Sequence, residues 1–309
     1  MKATWWRAFS TVISRLKPRF RARASRFGYV SGRCPGLSAC GEMLTHVGLV
    51  RGHNEDTVAW LIPGAGEDRS RRGMIALVAD GMGGHAAGEV ASALAAKTIT
   101  EVFYRTAGTI PEALAVAFAA ANRAIRDHGA RVPACRGMGT TCTALVVQDG
   151  GATLAHIGDS RAYLLRDSVL RQISTDHSLV ARMRRDGLIT AEEMAVHPNR
   201  NVILRSLGKQ EKCEPEIWPE PLALREGDRL VLCSDGLSDL VREPALAAIV
   251  AANAPAAACA ALCQAALAAG GHDNVSVGVF AVVAASGRRA RPVSLIQPVR
   301  QSNLGVAGS

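Results

Sequence analysis

The sequence lacks both a long apolar run and any pair of cysteines at metal-binding spacing. No unbroken apolar run approaches the ~20 residues that a membrane-spanning helix requires. The eight cysteines include no Cys-x-x-Cys pair and no histidine partner at zinc spacing, and several lie inside apolar runs. Charged residues also interrupt the apolar positions near the start, which argues against a secretory signal. We therefore predict a cytoplasmic protein with free thiols.

Aromatic residues are scarce as well, at 4% of the 309 residues, although hydrophobic residues reach 48%. Alanine and valine supply much of this apolar content, so a substantial core is expected to be built on small side chains. The length allows one large domain or two small ones.

The net charge of +9 comes from the two ends of the chain. Residues 1–42 carry nine Lys/Arg and one acid, and residues 285–309 carry four Arg and no acid. Residues 43–284 are left with 23 bases and 26 acids. The basic character therefore does not indicate nucleic-acid binding by the folded body, and we expect no nucleic-acid partner.

The two ends are expected to differ from the body between them. Residues 2–26 place tryptophan and other apolar residues at helical spacing among interleaved Arg and Lys. Such a basic amphipathic helix predicts peripheral contact with an anionic membrane surface; the alternatives are a disordered tail, or translated sequence upstream of a true start at Met43. Residues 28–41 are interpreted as a linker. The basic segment 285–309 is predicted to be disordered.

Within the body, an apolar run over residues 74–79 predicts a buried strand that ends in Asp80. Glycines follow at 81, 83 and 84. The sheet would fix the backbone of the carboxylate, and the glycines would let main chain approach whatever it holds. This arrangement suits a hard cation or a phosphate. It suits equally well a strand–turn–helix with a capping aspartate.

The same arrangement recurs at three further strand ends. Asp235-Gly236 follows an apolar run, Glu55-Asp56 precedes one, and residues 270–274 (Gly-Gly-His-Asp-Asn) precede another. Clustered carboxylates repel one another unless a cation lies between them. An all-oxygen cluster favours Mg²⁺ or Mn²⁺ over zinc or copper.

Six short motifs, in this order, resemble the bacterial form of the metal-dependent serine/threonine protein phosphatases of type 2C. They are 51–56 (Arg-Gly-His-Asn-Glu-Asp), 80–85 (Asp-Gly-Met-Gly-Gly-His), 139–141 (Gly-Thr-Thr), 158–161 (Gly-Asp-Ser-Arg), 235–236 (Asp-Gly) and 273–274 (Asp-Asn). Each motif is weak alone, and the combination is specific. The resemblance covers roughly residues 43–284.

Strands and helices follow one another in mixed order, which predicts an α+β fold with antiparallel sheets. The resemblance sharpens this expectation to a central antiparallel β-sandwich flanked by a helical pair on each side. We divide the chain into a basic extension (1–42), a catalytic domain (43–284) and a basic tail (285–309), and expect a monomer.

The resemblance implies hydrolysis of phosphoserine and phosphothreonine on proteins through a metal-bridged hydroxide, opposing a cognate bacterial serine/threonine kinase. Two Mn²⁺ or Mg²⁺ ions would be held at each site. No cysteine nucleophile is needed, and the sequence contains no Cys-x₅-Arg loop. A two-metal site suits this reaction, which is among the slowest in biology without a catalyst.

The same resemblance assigns the site residues. The implied metal ligands are Asp56, Asp80, Gly81 through its carbonyl, Asp235 and Asp273. Asp80 would bridge both ions, and Glu55 would bind through metal-held waters. Arg51 would hold the substrate phosphate in a bidentate pair that lysine could not replace equally.

Two departures from the family pattern concern proton transfer and a third ion. Met82 stands where many animal members have a histidine that is a candidate general acid, and we do not assign that role to His85. Asp239 matches a position that helps to hold a third ion in some members; the alternative is an isolated surface acid. Residues 136–138 (Arg-Gly-Met), just before the Gly-Thr-Thr motif, carry no carboxylate, which argues against a third ion.

Other polar residues are given structural interpretations. Asp159 and Arg161 are expected to form a structural ion pair or turn, and His156 to be a core or supporting residue. Residues 176–208 resemble the variable flap beside the active site. Its arginines either contact phosphopeptides or form a solvated helix face; they are 182, 184, 185, 200 and 205.

A function from another class is a catalytically silent module that binds and sequesters phosphoproteins. Retention of Arg51 and of all four aspartates argues against it.

Overall fold

A computed structural model describes residues 28–29, 37–62, 72–83, 87–284 and 293–297. The predicted amphipathic helix over residues 2–26 and His85 lie outside these ranges. None of the described helices combines the length and apolar character that crossing a membrane would require.

The described ranges contain fourteen strands and seven α-helices. The strands are β1 Gly28–Tyr29, β2 Leu37–His46, β3 Asp56–Ile62, β4 Met74–Met82, β5 Gly139–Thr140, β6 Cys142–Gln148, β7 Gly151–Ile157, β8 Arg161–Arg166, β9 Val169–Gln172, β10 Glu216–Ile217, β11 Leu222–Ala223, β12 Arg229–Cys233, β13 Val275–Ala284 and β14 Val293–Gln297. The helices are α1 Ala87–Arg105, α2 Ile110–Arg131, α3 Leu179–Arg185, α4 Ala191–Val196, α5 Asp235–Ser238, α6 Glu243–Ala252 and α7 Pro255–Ala268.

The strands form two sheets in which every described pair is antiparallel. One sheet has the order β1-β2-β13-β12-β8-β9, and the other has the order β10-β7-β6-β4-β3-β14, with β11 beside β7 and β5 beside β4. Helices α1 and α2 cover the second sheet, and α6 and α7 cover the first. The predicted α+β fold, a β-sandwich between two helical pairs, is confirmed.

Strand β4 explains why the sequence shows continuous apolar runs instead of alternation. Met74, Ala76 and Val78 face the other sheet, whereas Ile75 and Leu77 face the helices on the opposite side. Both faces of the strand are buried, so neither tolerates polar residues. The position after the apolar run, Asp80, is the first at which this strand can present a carboxylate.

The outer helices follow from ordinary capping signals and small side chains. Helix α2 begins with a capping box, in which Thr109 and Glu112 satisfy each other's backbone N–H groups, and with Pro111 in its first turn. Helices α1 and α2 meet through buried alanines such as Ala95 and Ala117. This packing accounts for a large core with few aromatic residues.

Two interpretations of the ends of the chain are corrected. Residues 37–41 are not linker, because β2 begins at Leu37 and pairs with β13 along its whole length. Gly41 is needed there: a Cβ would lie 2.1 Å from the Phe280 ring. The predicted disorder of 285–309 is wrong for Val293–Gln297, which pairs with β3 as β14. Pairing partners distant in sequence create both strands.

The seven cysteines in the described ranges are free thiols, as predicted; they are Cys40, Cys135, Cys142, Cys213, Cys233, Cys259 and Cys263.

Candidate metal centre

One edge of the sandwich collects the predicted acidic residues. Asp56 begins β3 and lies directly opposite Asp80 on β4. Asp235 follows the end of β12, and Asp273 precedes the start of β13. Since antiparallel neighbours place the start of one strand beside the end of the next, all four aspartates reach the same edge.

Asp56 and Asp235 have buried carboxylate oxygens without hydrogen-bond partners, whereas Asp273 is 36% exposed and bonds to Arg51. Asp56 is 2% exposed, and neither of its carboxylate oxygens has a hydrogen-bond partner. Burial, opposed by the nearby hydroxyls of Ser276 and Ser234 and reinforced by the charges of Asp235 and Asp273, raises its pKa to about 7. Burial also raises the pKa of Asp80 well above its usual range, with Asp56 as the largest charge contribution.

Asp235 behaves in the same way. Burial, followed by the charges of Asp239 and Asp273, raises its pKa to about 6, and its Oδ1 is buried without a partner. Unpaired buried carboxylate oxygens are costly and rare in folded proteins. A divalent cation would satisfy them and remove the repulsion between them, so this donor set fits the implied ions.

The cluster is not yet a closed coordination shell. Within the described ranges, no three His, Cys, Asp or Glu side chains converge closely enough to hold one ion as they stand.

Arg51 lies at the mouth of the cluster. Its side chain is 51% exposed, and its Nη2 donates to Oδ2 of Asp273 at 2.7 Å. This bond raises the pKa of the guanidinium. An exposed guanidinium held only by one acid of the cluster can turn to a phosphate that arrives there. The position agrees with the predicted phosphate-binding role, which stays a prediction.

Glu55 and Gly81 meet through their backbones beside the start of α1. The amide of Gly81 donates to the Glu55 carbonyl at 3.1 Å, and the Ser92 hydroxyl donates to the same carbonyl at 2.6 Å. A Cβ on Gly81 would lie 2.1 Å from the Gly88 carbonyl. Glycine is therefore required at 81 for close approach of α1.

Asn274 is a supporting residue to which sequence reasoning assigned no role. Its Nδ2 donates to the carbonyls of Val47 and His53, both at 2.9 Å, and its Oδ1 accepts from the Glu55 amide at 2.7 Å. It therefore ties the loop that carries Arg51 and Glu55 to the start of β13. The only sequence signal was an asparagine next to Asp273.

The Gly-Thr-Thr motif fixes the backbone of Asp80. The Asp80 amide donates to Oγ1 of Thr141 at 3.1 Å, and its carbonyl accepts from the Thr141 amide and from the Thr140 hydroxyl, both at 2.8 Å. Oγ1 of Thr141 also bonds Oγ of Ser160 at 2.7 Å. This links Asp80 to the Gly-Asp-Ser-Arg motif.

Within that motif, the two predicted structural residues behave differently. Arg161 does form a structural ion pair, but its partner is Asp176, at 2.6 Å between Nη2 and Oδ2. Asp159 instead has a buried Oδ1 without a partner, and burial and Asp235 raise its pKa well above the usual range. Asp159 therefore lies in the expected turn, between β7 and β8, but does not form the expected ion pair, and it extends the acidic cluster.

Asp239 also lies close to Asp235. After burial, the charge of Asp239 makes the largest contribution to the raised pKa of Asp235. The argument against a third ion considered only a carboxylate at 136–138. With Asp159 and Asp239 both next to Asp235, the absence of an acid at 136–138 no longer decides that question.

His156 is a core residue, as expected. Its Nε2 bonds the Thr175 carbonyl at 3.0 Å, its Nδ1 bonds Oγ1 of Thr143 at 2.8 Å, and its ring lies 4.9 Å from that of His177. Burial lowers its pKa to about 4. It is therefore neutral near pH 7 and supports the turn that carries Asp159.

A cavity of about 680 Å³ adjoins the acidic cluster. One wall is acidic and contains Asp159, Asp235 and Asp239. The other is formed by the predicted flap, in particular α3, α4 and the loop after α4.

Comparison with known proteins shows which family the chain resembles. Residues 53–269 match the family model described as protein phosphatase 2C. The chain is 41% identical over 237 residues to the serine/threonine protein phosphatase PstP of Mycobacterium tuberculosis, covering 76% of this chain and 43% of that protein. It is 36% identical over 245 residues to the protein phosphatase PhpP of Streptococcus pneumoniae, covering 78% and 96%. The chain thus spans less than half the length of the mycobacterial relative.

A solved structure described as the catalytic domain of PstP in complex with two manganese ions superimposes with a TM-score of 0.69. The two chains are 38% identical, and the match covers 80% of this chain and 99% of that one.

Proposed function

Because the chain belongs to the protein phosphatase 2C family, we propose that it is a metal-dependent protein serine/threonine phosphatase that removes phosphate from phosphoserine and phosphothreonine. The observation that carries the proposal is the convergence of Asp56, Asp80, Asp235 and Asp273 on one edge, where buried carboxylate oxygens lack partners. A divalent cation would satisfy these oxygens and remove the repulsion between the carboxylates, which supports a metal-dependent activity.

Asp56, Asp80, Asp235 and Asp273 would hold two Mn²⁺ or Mg²⁺ ions, with the Gly81 carbonyl as a further ligand. When bound, such ions activate water as a nucleophile at neutral pH and neutralise phosphoryl oxygens. Residues of the chain itself orient the phosphate and hold the acidic cluster in place.

Arg51 orients the phosphate by exchanging Asp273 for two phosphoryl oxygens, a geometry that suits a planar guanidinium. Glu55 is held by the Asn274 side chain beside the cluster and accepts hydrogen bonds from water there. Thr140 and Thr141 keep the Asp80 backbone in place, so the carboxylate does not move during turnover.

The proposed partners are phosphorylated proteins and a cognate serine/threonine kinase, with a monomer in the cytoplasm as the acting species. Peripheral membrane contact through residues 2–26 remains a proposal. The division into a basic extension, a catalytic domain and a basic tail also remains a proposal, with β2 from Leu37 and β14 at Val293–Gln297 counted in the domain. Liposome sedimentation of the full chain and of a variant lacking residues 2–26 tests the membrane contact. Equal sedimentation of the two would remove it.

The activity is tested with p-nitrophenyl phosphate and a phosphothreonine peptide, in Mn²⁺ or in EDTA. Wild type is compared with Asp235→Asn and with Asp127→Asn, a matched change on the exposed face of α2. We expect hydrolysis that requires metal, falls by at least 100-fold in Asp235→Asn, and persists in Asp127→Asn.

The second candidate function is the phosphoprotein-binding module. Folded, Mn²⁺-loaded wild type that binds the phosphopeptide but hydrolyses neither compound would overturn the phosphatase proposal in its favour.

A further inference from the structure

Three arginines from separate segments converge on the cavity beside the acidic cluster. Arg184 lies near the end of α3, Arg200 lies in the loop after α4, and Arg242 immediately precedes α6. Among the described residues, none of the three side chains forms an ion pair or a hydrogen bond. Neighbouring surface arginines behave differently: Arg182 pairs with Asp186 at 3.7 Å.

The acids in and around the cavity do not neutralise these arginines. Asp176 is already bound by Arg161 and by Gln172. Glu192 lies within electrostatic range of Arg184, and Asp239 within range of Arg200, but no contact forms. Asp159 and Asp235 belong to the cluster that would hold cations.

Two divalent cations would balance the charges of Asp56, Asp80, Asp235 and Asp273. At the acidic wall, where the phosphate to be removed would lie, Asp159 and Asp239 then remain as uncompensated acids. The opposite wall carries three guanidiniums with no protein acceptor, so they are the cations of the cavity that are left to bind an anion. Guanidiniums bind carboxylates and phosphates strongly because each can donate two parallel hydrogen bonds. The volume of about 680 Å³ lies in the range of ligand-binding clefts and leaves room beyond the reacting phosphate.

We propose that this cavity binds an anionic side chain flanking the phosphorylated residue, so that the enzyme prefers acidic or multiply phosphorylated substrates. This inference rests on the proposed phosphatase function and specifies its substrate class. It selects Arg184 and Arg200 from the five flap arginines noted in the sequence, and adds Arg242, which lies outside the flap.

The test compares phosphothreonine peptides of equal length whose flanking residues are alanine, glutamate, lysine or a second phosphothreonine. The Mn²⁺-loaded full chain is expected to show kcat/KM on the order of tenfold higher with glutamate than with lysine, and higher still with the second phosphate. This ratio should fall as ionic strength rises. Comparing the glutamate and phosphothreonine peptides distinguishes the two sources of negative charge.

Three variants assign the preference to the cavity. Changing Arg184, Arg200 and Arg242 together to glutamine should remove it, and Arg200→Glu should shift it towards lysine. Arg182→Gln, which changes an arginine outside the cavity, should keep it. Peptide affinities measured by calorimetry for the same proteins provide a second readout that does not depend on turnover.

The test distinguishes failure of the cavity inference from failure of the phosphatase proposal. If the wild type hydrolyses p-nitrophenyl phosphate and the alanine peptide but treats all flanks alike, the cavity inference is overturned and the phosphatase proposal stands. A triple variant that keeps the wild-type ratio also overturns the inference. If the wild type hydrolyses nothing, the phosphatase proposal fails, and equal affinities for all peptides would remove the cavity inference with it.

Discussion

Asp56 and Asp80 face each other directly across neighbouring antiparallel strands. Like charges at such positions destabilise a sheet, and here both carboxyls are also removed from water. The metal-free protein is therefore less stable at this edge of the sheet. In exchange, two carboxylates on a rigid support are available to bind a cation.

This relationship predicts a stabilised but inactive variant. Asp56→Asn should raise the unfolding free energy of the metal-free protein by about 1 kcal/mol, because it removes one of two opposed charges. Differential scanning calorimetry in EDTA and in Mn²⁺ measures this. Mn²⁺ should raise the Tm of wild type far more than that of Asp56→Asn. Asp127→Asn should respond like wild type, and an equal Mn²⁺ shift in all three proteins would contradict the assignment.

The bond between Arg51 and Asp273 predicts that charge alone does not suffice at position 51. Arg51→Lys keeps the charge but cannot donate two parallel bonds to phosphate, so kcat/KM for a phosphothreonine peptide should fall on the order of tenfold. Steady-state kinetics with Mn²⁺ present measures the loss. Arg182→Lys, at an exposed position on α3, serves as the control, and an Arg51→Lys enzyme as efficient as this control would exclude the phosphate-binding role.

The raised pKa values predict that metal affinity depends on pH. Asp56 has a pKa of about 7 and Asp235 of about 6, so the metal-free site holds protons that a cation must displace. Mn²⁺ affinity should therefore rise between pH 5.5 and pH 7.5, with proton release on binding. Calorimetry in two buffers of different ionisation enthalpy measures both quantities. A constant affinity across this range would mean that the carboxylates are already ionised.

A second titration concerns stability away from the site. Glu42 is 4% exposed on the face of β2 towards α7; both its oxygens lack partners, and burial raises its pKa to about 7. The folded protein then keeps a proton that the unfolded chain releases from about pH 4.5 upward, so stability falls as the pH rises to 7 and is constant above it. The loss between pH 5 and pH 8 is about 2 to 3 kcal/mol from this group.

Glu42→Gln cannot release a proton, so its unfolding free energy should fall less over the same pH range. Urea denaturation at pH 5 and pH 8 measures the difference. Glu101→Gln, on the exposed side of α1, should reproduce the wild-type dependence. If Glu42→Gln does the same, Glu42 is ionised in the folded protein.

The sequence placed the four aspartates at strand ends, where the fold also has them, because each follows or precedes a long apolar run. Such a run identifies a strand buried on both faces, and the acid marks where that strand leaves the core. For Asp159 the predicted turn holds, but the predicted ion pair does not form. Its motif suggested a local pair with Arg161, whereas the fold pairs Arg161 with Asp176 and leaves Asp159 facing Asp235.

The sequence also could not reveal residues whose role depends on contacts with distant loops. Asn274 binds Val47 and His53, more than 200 positions away, and nothing in its neighbourhood encodes that contact. The first part of β2 was missed because residues 37–41 combine one leucine with serine, alanine, cysteine and glycine, which have little intrinsic preference for strands. Pairing with β13 decides their conformation.

Strand β13 lies between β2 and β12, although β2 is among the first parts of the domain to be synthesised and β13 among the last. A chain still on the ribosome cannot close this sheet until synthesis has passed Ala284. Until then β2 lacks its central neighbour, and Arg51 and Glu55 lack the asparagine that holds their loop. A product that terminates before residue 273 therefore carries at most three of the four aspartates, on a sheet that cannot close. Such a fragment lacks the complete acidic cluster and leaves one edge of β2 without its partner strand.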